Sequence, residues 1–134
     1  MIIHNVYTGA SIRKGVKDSK NIGKWYCCLT VNNYRVKFFN GHKRGTTLGE
    51  MTLEGFLQAL TFANELIKED PESNVQITTY SKYCVDSYEK FSLKWRQNGW
   101  KKSDKSEIEH RDLWEKINGI RDTRIFLRLI KRKK

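Results

Sequence analysis

From Thr47 to Lys68 the apolar residues fall at three- and four-residue steps, and no other feature constrains the fold as strongly. Met51, Phe56, Leu57, Leu60, Phe62, Ala63, Leu66 and Ile67 would line one face of a helix. Such a face must be buried, and the flanking sequence offers a sheet to bury it against. Residues 1–8 (IIHNVYT) and 24–40 (KWYCCLTVNNYRVKFF) are rich in β-branched and aromatic residues, and Asn32-Asn33 interrupts the second run as a hairpin turn would. The stretches ASIRKGVKDSKNIG and GHKRGTTLGE read as loops. Asp70-Pro71 stops the helix, and VQITTY at 75–80 follows as a short strand. A helical run over 81–97 is broken by Asn98-Gly99, a short helix covers 110–119, and a last strand spans 124–130. The order β-β-β-α-β-α-α-β predicts a mixed α/β domain with one sheet.

The chain of 134 residues fits one domain, 1–134, with no internal repeat or linker to divide it. No run of 18 apolar residues exists, so no membrane partner is expected, and the N-terminus does not read as a secretory signal. Cys27, Cys28 and Cys84 have neither zinc spacing nor a disulfide framework. Buried thiols in a reducing, cytoplasmic compartment are the expectation. Histidines 4, 42 and 110 are scattered without metal-ligand spacing. The balance of 26 Lys plus Arg over 15 Asp plus Glu leaves a net charge of +11, which favours a polyanionic partner.

The segment from Ile77 to Gly119 resembles the ribonuclease H family, in which a strand ending TDSKY leads to a helix, a W-K-x-x-G-W-K handle and a DLW helix. Here the pieces are Thr79-Tyr80-Ser81-Lys82-Tyr83, Trp95 to Lys101, and Asp112-Leu113-Trp114. Tyr7-Thr8-Gly9-Ala10-Ser11 resembles the family's YTDGAS, and Thr46 to Leu53 resembles TTNNRMEL. The resemblance implies a ribonuclease H-like mixed sheet with three antiparallel N-terminal strands, flanking helices and a basic handle. It also implies a terminal helix, which the sequence to Lys134 does not reach.

The family cleaves the RNA strand of a hybrid with two metal ions, and four converging carboxylates must hold those hard cations. At the matching positions this chain has Thr8 or Gly9, then Thr52, then Tyr80, and the fourth carboxylate belongs to the terminal helix. The family's loop histidine is replaced by the sequence IKRKK. Glu50 and Glu54 flank Thr52 by two residues, about 200° around a helix, so neither points where the lost Glu did. These departures lead to the expectation of a pseudoenzyme: not an enzyme, with no metal or other cofactor.

The remaining expectations concern binding. Residues 94–105 hold five basic side chains and two tryptophans against one acid, a pattern that neutralises phosphates and offers stacking faces. The resemblance implies that Lys94, Trp95, Arg96, Trp100, Lys101, Lys102 and Lys105 grip nucleic acid, although Trp95 and Trp100 could equally pack the handle onto the domain. Arg44, Thr47 and His110 stand at or beside the family's DNA-phosphate pocket. The family's two RNA-reading asparagines are Leu48 and Gly49 here, so the expected partner is double-stranded RNA or an RNA/DNA hybrid. The tail 131–134 adds a weak basic motif, and a viral or mobile-element origin is an expectation of the same grade. The alternative is a protein-binding module whose altered cleft docks a polymerase, nuclease or host factor.

Overall fold

The computed structural model describes residues 3–31, 34–102, 106 and 108–131. The expected turn at Asn32-Asn33, Lys105 in the handle and residues 132–134 of the tail lie outside them. Five strands form one sheet: β1 (Ile3–Arg13), β2 (Ile22–Val31), β3 (Tyr34–Arg44), β4 (Asn74–Thr79) and β5 (Ile125–Leu129). Their order is β3-β2-β1-β4-β5, antiparallel across β1–β2 and β2–β3 and parallel across β1–β4 and β4–β5. This is the mixed sheet with three antiparallel N-terminal strands read from the sequence.

The strand ends differ from that reading. β1 continues to Arg13, past the expected end at residue 8, and β2 begins at Ile22, because Gly9–Arg13 pair with Tyr26–Ile22. β3 likewise runs to Arg44, which pairs with Ile22. Residues 10–13, 22–23 and 41–44, read as parts of loops, are therefore strand, since ladder hydrogen bonding outweighs their modest β-propensity, while 14–21 and 45–47 lie outside the strands as read.

Helix α1 (Leu48–Glu69) lies across the sheet. Thr47 caps it, its side chain accepting from the Glu50 amide at 3.1 Å, and Pro71 follows its end. Leu53, Phe56, Leu60, Ala63 and Ile67 on α1 are buried against Val6, Cys27, Leu29, Val75 and Ile77 of the sheet. Each such large side chain contributes about 1.5–3 kcal/mol when fully buried. Gly55 permits the close approach of α1: a Cβ there would stand 2.8 Å from Thr8 Oγ1 and 3.3 Å from Trp25 Cβ.

The expected single helix over 81–97 is three segments: α2 (Lys82–Asp86), a π-helical stretch (Ser87–Phe91) and α3 (Ser92–Gln97). The wide turn buries Tyr88 edge to face on Phe56 of α1, at 5.2 Å, and Ser92 against α4 (Arg111–Gly119). There Ser92 Oγ donates to Asn118 Oδ1 at 2.9 Å, and the Asn118 amide donates back to the Ser92 carbonyl at 3.0 Å. Arg121 donates to Ser92 Oγ and lies 3.9 Å from the Tyr88 ring centroid, so the polar groups of this junction are mutually satisfied.

All three cysteines are buried free thiols. Burial, then the neighbouring Cys28, pushes Cys27 up to about 11, and burial alone pushes Cys84 up, so both are unreactive thiols. Among the described residues no helix is long and apolar enough to cross a membrane.

Candidate nucleic-acid interface

Three local structures meet at the end of the sheet where β1 and β4 lie side by side. On β1, Thr8 faces inward and is 3% exposed, its hydroxyl donating to the Tyr26 carbonyl at 3.0 Å, while Gly9 lines the cleft with the Tyr26 ring packed over it, 2.6 Å from where a Cβ would stand. In the first turns of α1, Thr52 is half-buried and its Oγ1 donates to the Leu48 carbonyl at 2.8 Å. At the end of β4, Thr79 Oγ1 accepts from the Ser81 amide and Ser81 Oγ accepts from the Cys84 amide, a turn that projects Tyr80 outward at 43% exposure.

Gly9, Thr52 and Tyr80 therefore line one cleft of about 780 Å³, joined by Tyr26, Leu48, Ile130 and Lys131. The sequence reading brought the first three together but missed Tyr26 and Lys131. Tyr26 belongs there because it pairs with Gly9 across the β1–β2 ladder, a register the sequence does not display. Lys131, read only as part of a weak basic tail motif, stands at the cleft and supplies a cation.

The oxygen donors in this cleft are aliphatic hydroxyls, the two phenols of Tyr26 and Tyr80, and backbone carbonyls. Among the described residues no three His, Cys, Asp or Glu side chains converge. The nearby carboxylates are committed elsewhere: Glu50 accepts from Thr46 Oγ1 and pairs with Lys43 at 3.2 Å. Asp86 pairs with Lys82 at 2.6 Å and Lys90 at 3.7 Å. Thr46 first, and the Lys43 ammonium after it, hold the Glu50 carboxyl below its ordinary range against a smaller desolvation effect. Hard divalent cations want charged oxygen ligands, so the residues present do not fit a metal pair.

The handle is fastened by aromatic packing. Trp95 meets Trp114 edge to face at 5.7 Å and Phe91 nearly parallel at 6.2 Å. Trp114 in turn donates through Nε1 to the Tyr83 hydroxyl at 3.2 Å, which ties the handle to the turn after β4. Trp100 is only 8% exposed, so its indole packs the loop and presents no open stacking face. Gly99 and Trp100 are both left-handed, at φ 68° and 65°, and the Trp100 N–H holds this backbone by donating a hydrogen bond to the Trp95 carbonyl at 2.6 Å. Lys94, Arg96, Lys101 and Lys102 are exposed and make no ion pair among the described residues. They contrast with Arg111 and Arg124, which are paired to Glu115 and Asp122.

The far end of the handle returns to α1. His110, itself left-handed at φ 58°, brings Nε2 to within 3.4 Å of where a Gly49 Cβ would stand. Thr47 and Arg44 are exposed just before that helix start. Thus Thr47, Gly49 and His110 form a corner, and the same turn of α1 carries Leu48 and Thr52 into the cleft.

The sequence profile of the RNase H family matches residues 3–132. A curated ribonuclease H from Francisella tularensis subsp. novicida is 27% identical over 104 residues, 78% of this chain and 64% of the relative's own length. The chain thus spans less than two thirds of that enzyme. Among solved structures, the foamy viral protease–reverse transcriptase in complex with an RNA/DNA hybrid superposes with a TM-score of 0.84 at 18% identity. That match covers 96% of this chain and 17% of the viral one. LC11-RNase H1, also in complex with an RNA/DNA hybrid, gives a TM-score of 0.67 at 16% identity, covering 96% of this chain and 86% of that one. Both likenesses show the fold. The profile match and the enzyme's name on the curated relative overturn the expectation of a catalytically inactive non-enzyme. That expectation rested on the family's ligand positions and loop histidine, and substitution there describes a donor set, not an activity.

Proposed function

Because the chain belongs to the ribonuclease H family, we propose that it engages an RNA/DNA hybrid across the cleft and the handle, acting as one domain over residues 1–134. The observation that carries this reading is the contact of His110 with the first turn of α1. It joins the handle, whose Lys94, Arg96, Lys101 and Lys102 are exposed and make no ion pair among the described residues, to the wall of the cleft, so both belong to one surface. A duplex laid on that surface meets Lys94, Arg96, Lys101 and Lys102 on one side and Lys131 on the other. Arg44, Thr47 and His110 are placed to take a phosphate at the corner between them. Trp95 and Trp100 act as positioning residues that fix the handle's angle.

The choice of hybrid is supported by the two structural relatives solved with that ligand. It is also consistent with an A-form duplex being recognised through shape, phosphates and 2′-hydroxyls rather than through sequence. Hybrid hydrolysis is the activity the family implies. The test is a titration of labelled hybrid, double-stranded RNA and duplex DNA of equal length, with product formation from the hybrid followed in magnesium and in manganese. The hybrid is expected to bind more tightly than duplex DNA, and equal affinity for all three would refute the assignment of ligand.

A further inference from the structure

The loop between β1 and β2, residues 14–21, lies past the last row of the ladder, in which Arg13 pairs with Ile22 and Ile22 with Arg44. It therefore belongs to neither face of the sheet, and its exposure does not depend on what lies across them. The loop carries Lys14, Lys17 and Lys20, and Arg13 and Arg44 flank it in that last row. All five are exposed and make no ion pair among the described residues. Asp18 is the one acid in the sequence between Arg13 and Asn21.

This tip is fastened to the approach to α1. The Lys20 amide donates to the Lys17 carbonyl at 2.8 Å and the Asn21 amide to the Asp18 carbonyl at 3.1 Å, closing a 3₁₀ turn over Asp18–Lys20. Asn21, only 3% exposed, acts as the clasp: its Oδ1 accepts from the Gly15 amide at 3.0 Å and its Nδ2 donates to the Thr46 carbonyl at 3.3 Å. Its own carbonyl accepts from the Gly45 amide at 2.7 Å. Thr46 leads directly into Thr47, so the lysines are held beside the corner that Thr47, Gly49 and His110 form. From Gly9 in the cleft, β1 runs on to Arg13, about 14 Å at ~3.4 Å per residue. The tip thus extends the cationic surface away from the cleft.

We infer that the β1–β2 tip is a further contact surface for the duplex, one that takes its phosphates beyond the cleft. The inference rests on the hybrid reading and lengthens the footprint it implies. A cation without an acid partner releases a counterion when it meets a phosphate, so a fixed group of such cations suits a backbone that presents phosphates at regular intervals. No aromatic residue occurs between Arg13 and Asn21, which leaves unpaired bases nothing to stack on and favours a duplex over a single strand. An anionic membrane fits less well, because binding at its surface grows with buried apolar area and Val16 is the only apolar side chain of the loop.

The test is the salt dependence of binding, followed by fluorescence anisotropy with a labelled hybrid and a duplex DNA of about 20 base pairs, roughly 68 Å at ~3.4 Å each. Lys14→Ala/Lys17→Ala is expected to lower the slope of log K against log salt by about 1.8, at ~0.9 per phosphate, so that affinity falls about 12-fold less between 50 and 200 mM salt than in wild type. Combined with Lys101→Ala/Lys102→Ala the two reductions should add, since one duplex meets both surfaces. Lys14→Arg/Lys17→Arg should restore the slope, and Lys68→Ala, at the far end of α1, should leave it unchanged. The inference is overturned if the tip variant keeps the wild-type slope, or if Lys68→Ala lowers it as much per lysine, which would make net charge the cause. It is also overturned if the tip variant loses binding to phosphatidylserine vesicles and not to the hybrid. Equal binding of hybrid and duplex DNA, with both slopes lowered by the tip variant, would refute the choice of hybrid and leave the tip standing. A slope lowered by the handle variant alone would refute the tip and leave the hybrid reading standing.

Discussion

Replacing Lys101 and Lys102 together by alanine should change how hybrid binding depends on salt, by an amount the handle's structure sets. Four handle cations, Lys94, Arg96, Lys101 and Lys102, are exposed and without an ion pair among the described residues. If each neutralises one phosphate, the slope of log K against log salt from this element is about −3.6, at ~0.9 per phosphate, and the double variant retains about −1.8. Between 50 and 200 mM salt, wild-type binding should then weaken about 150-fold through the handle, and the variant only about 12-fold. The variant's deficit is therefore largest at low salt and shrinks about twelvefold across the series. Anisotropy titrations at four salt concentrations measure this directly, with thermal melts confirming that the fold is intact. Lys101→Arg/Lys102→Arg should restore the slope, because only charge is at issue. A variant that weakens binding by the same factor at every salt concentration, or not at all, would refute the placement of these lysines on phosphates.

Other consequences concern stability. Gly55→Val should destabilise by about 1–3 kcal/mol through overpacking, because the added side chain meets Thr8 and Trp25 where α1 touches the sheet; urea midpoints report it. Trp114→Ala should cost about 3–5 kcal/mol, since this indole is fully buried and also braces Trp95 and Tyr83; loss of hybrid binding together with the melting temperature would follow from the handle losing its anchor. Glu50 titrates below its ordinary range when folded, so the unfolded chain holds its proton more tightly. Its contribution is present above the ordinary carboxylate range and is lost as pH falls through the depressed folded value. Glu50→Gln should accordingly flatten the acid side of a stability profile measured between neutral and strongly acidic pH.

Much of the architecture is legible in the one-dimensional pattern because it follows from local periodicity. The α1 stripe, the β-rich runs and the stop at Asp70-Pro71 each need only a window of residues, and all three match the folded chain. The misplaced strand ends have a common cause: Gly9–Arg13 and Gly41–Arg44 are strand only because a partner lies beside them, and pairing across the sheet leaves no local trace. The same holds at the site. Thr52 and Tyr80 were found by motif, whereas Lys131 and Tyr26 reach the cleft through parallel β4–β5 and antiparallel β1–β2 pairing. Trp100 shows the reverse case, since a residue type and spacing suited to stacking turns out to be a buried brace.

The sequence by itself determined the family, the mixed α/β order, the excess of positive charge and the neutral residues at the family's ligand positions. Each of these is a property of residues counted or compared along the chain. Tertiary structure alone decided which cations pair with acids among the described residues and that Trp100 is a buried brace, not a stacking face. Ion pairing, burial and facing depend on what lies within a few ångströms in space, and long-range strand register and helix packing set those neighbours.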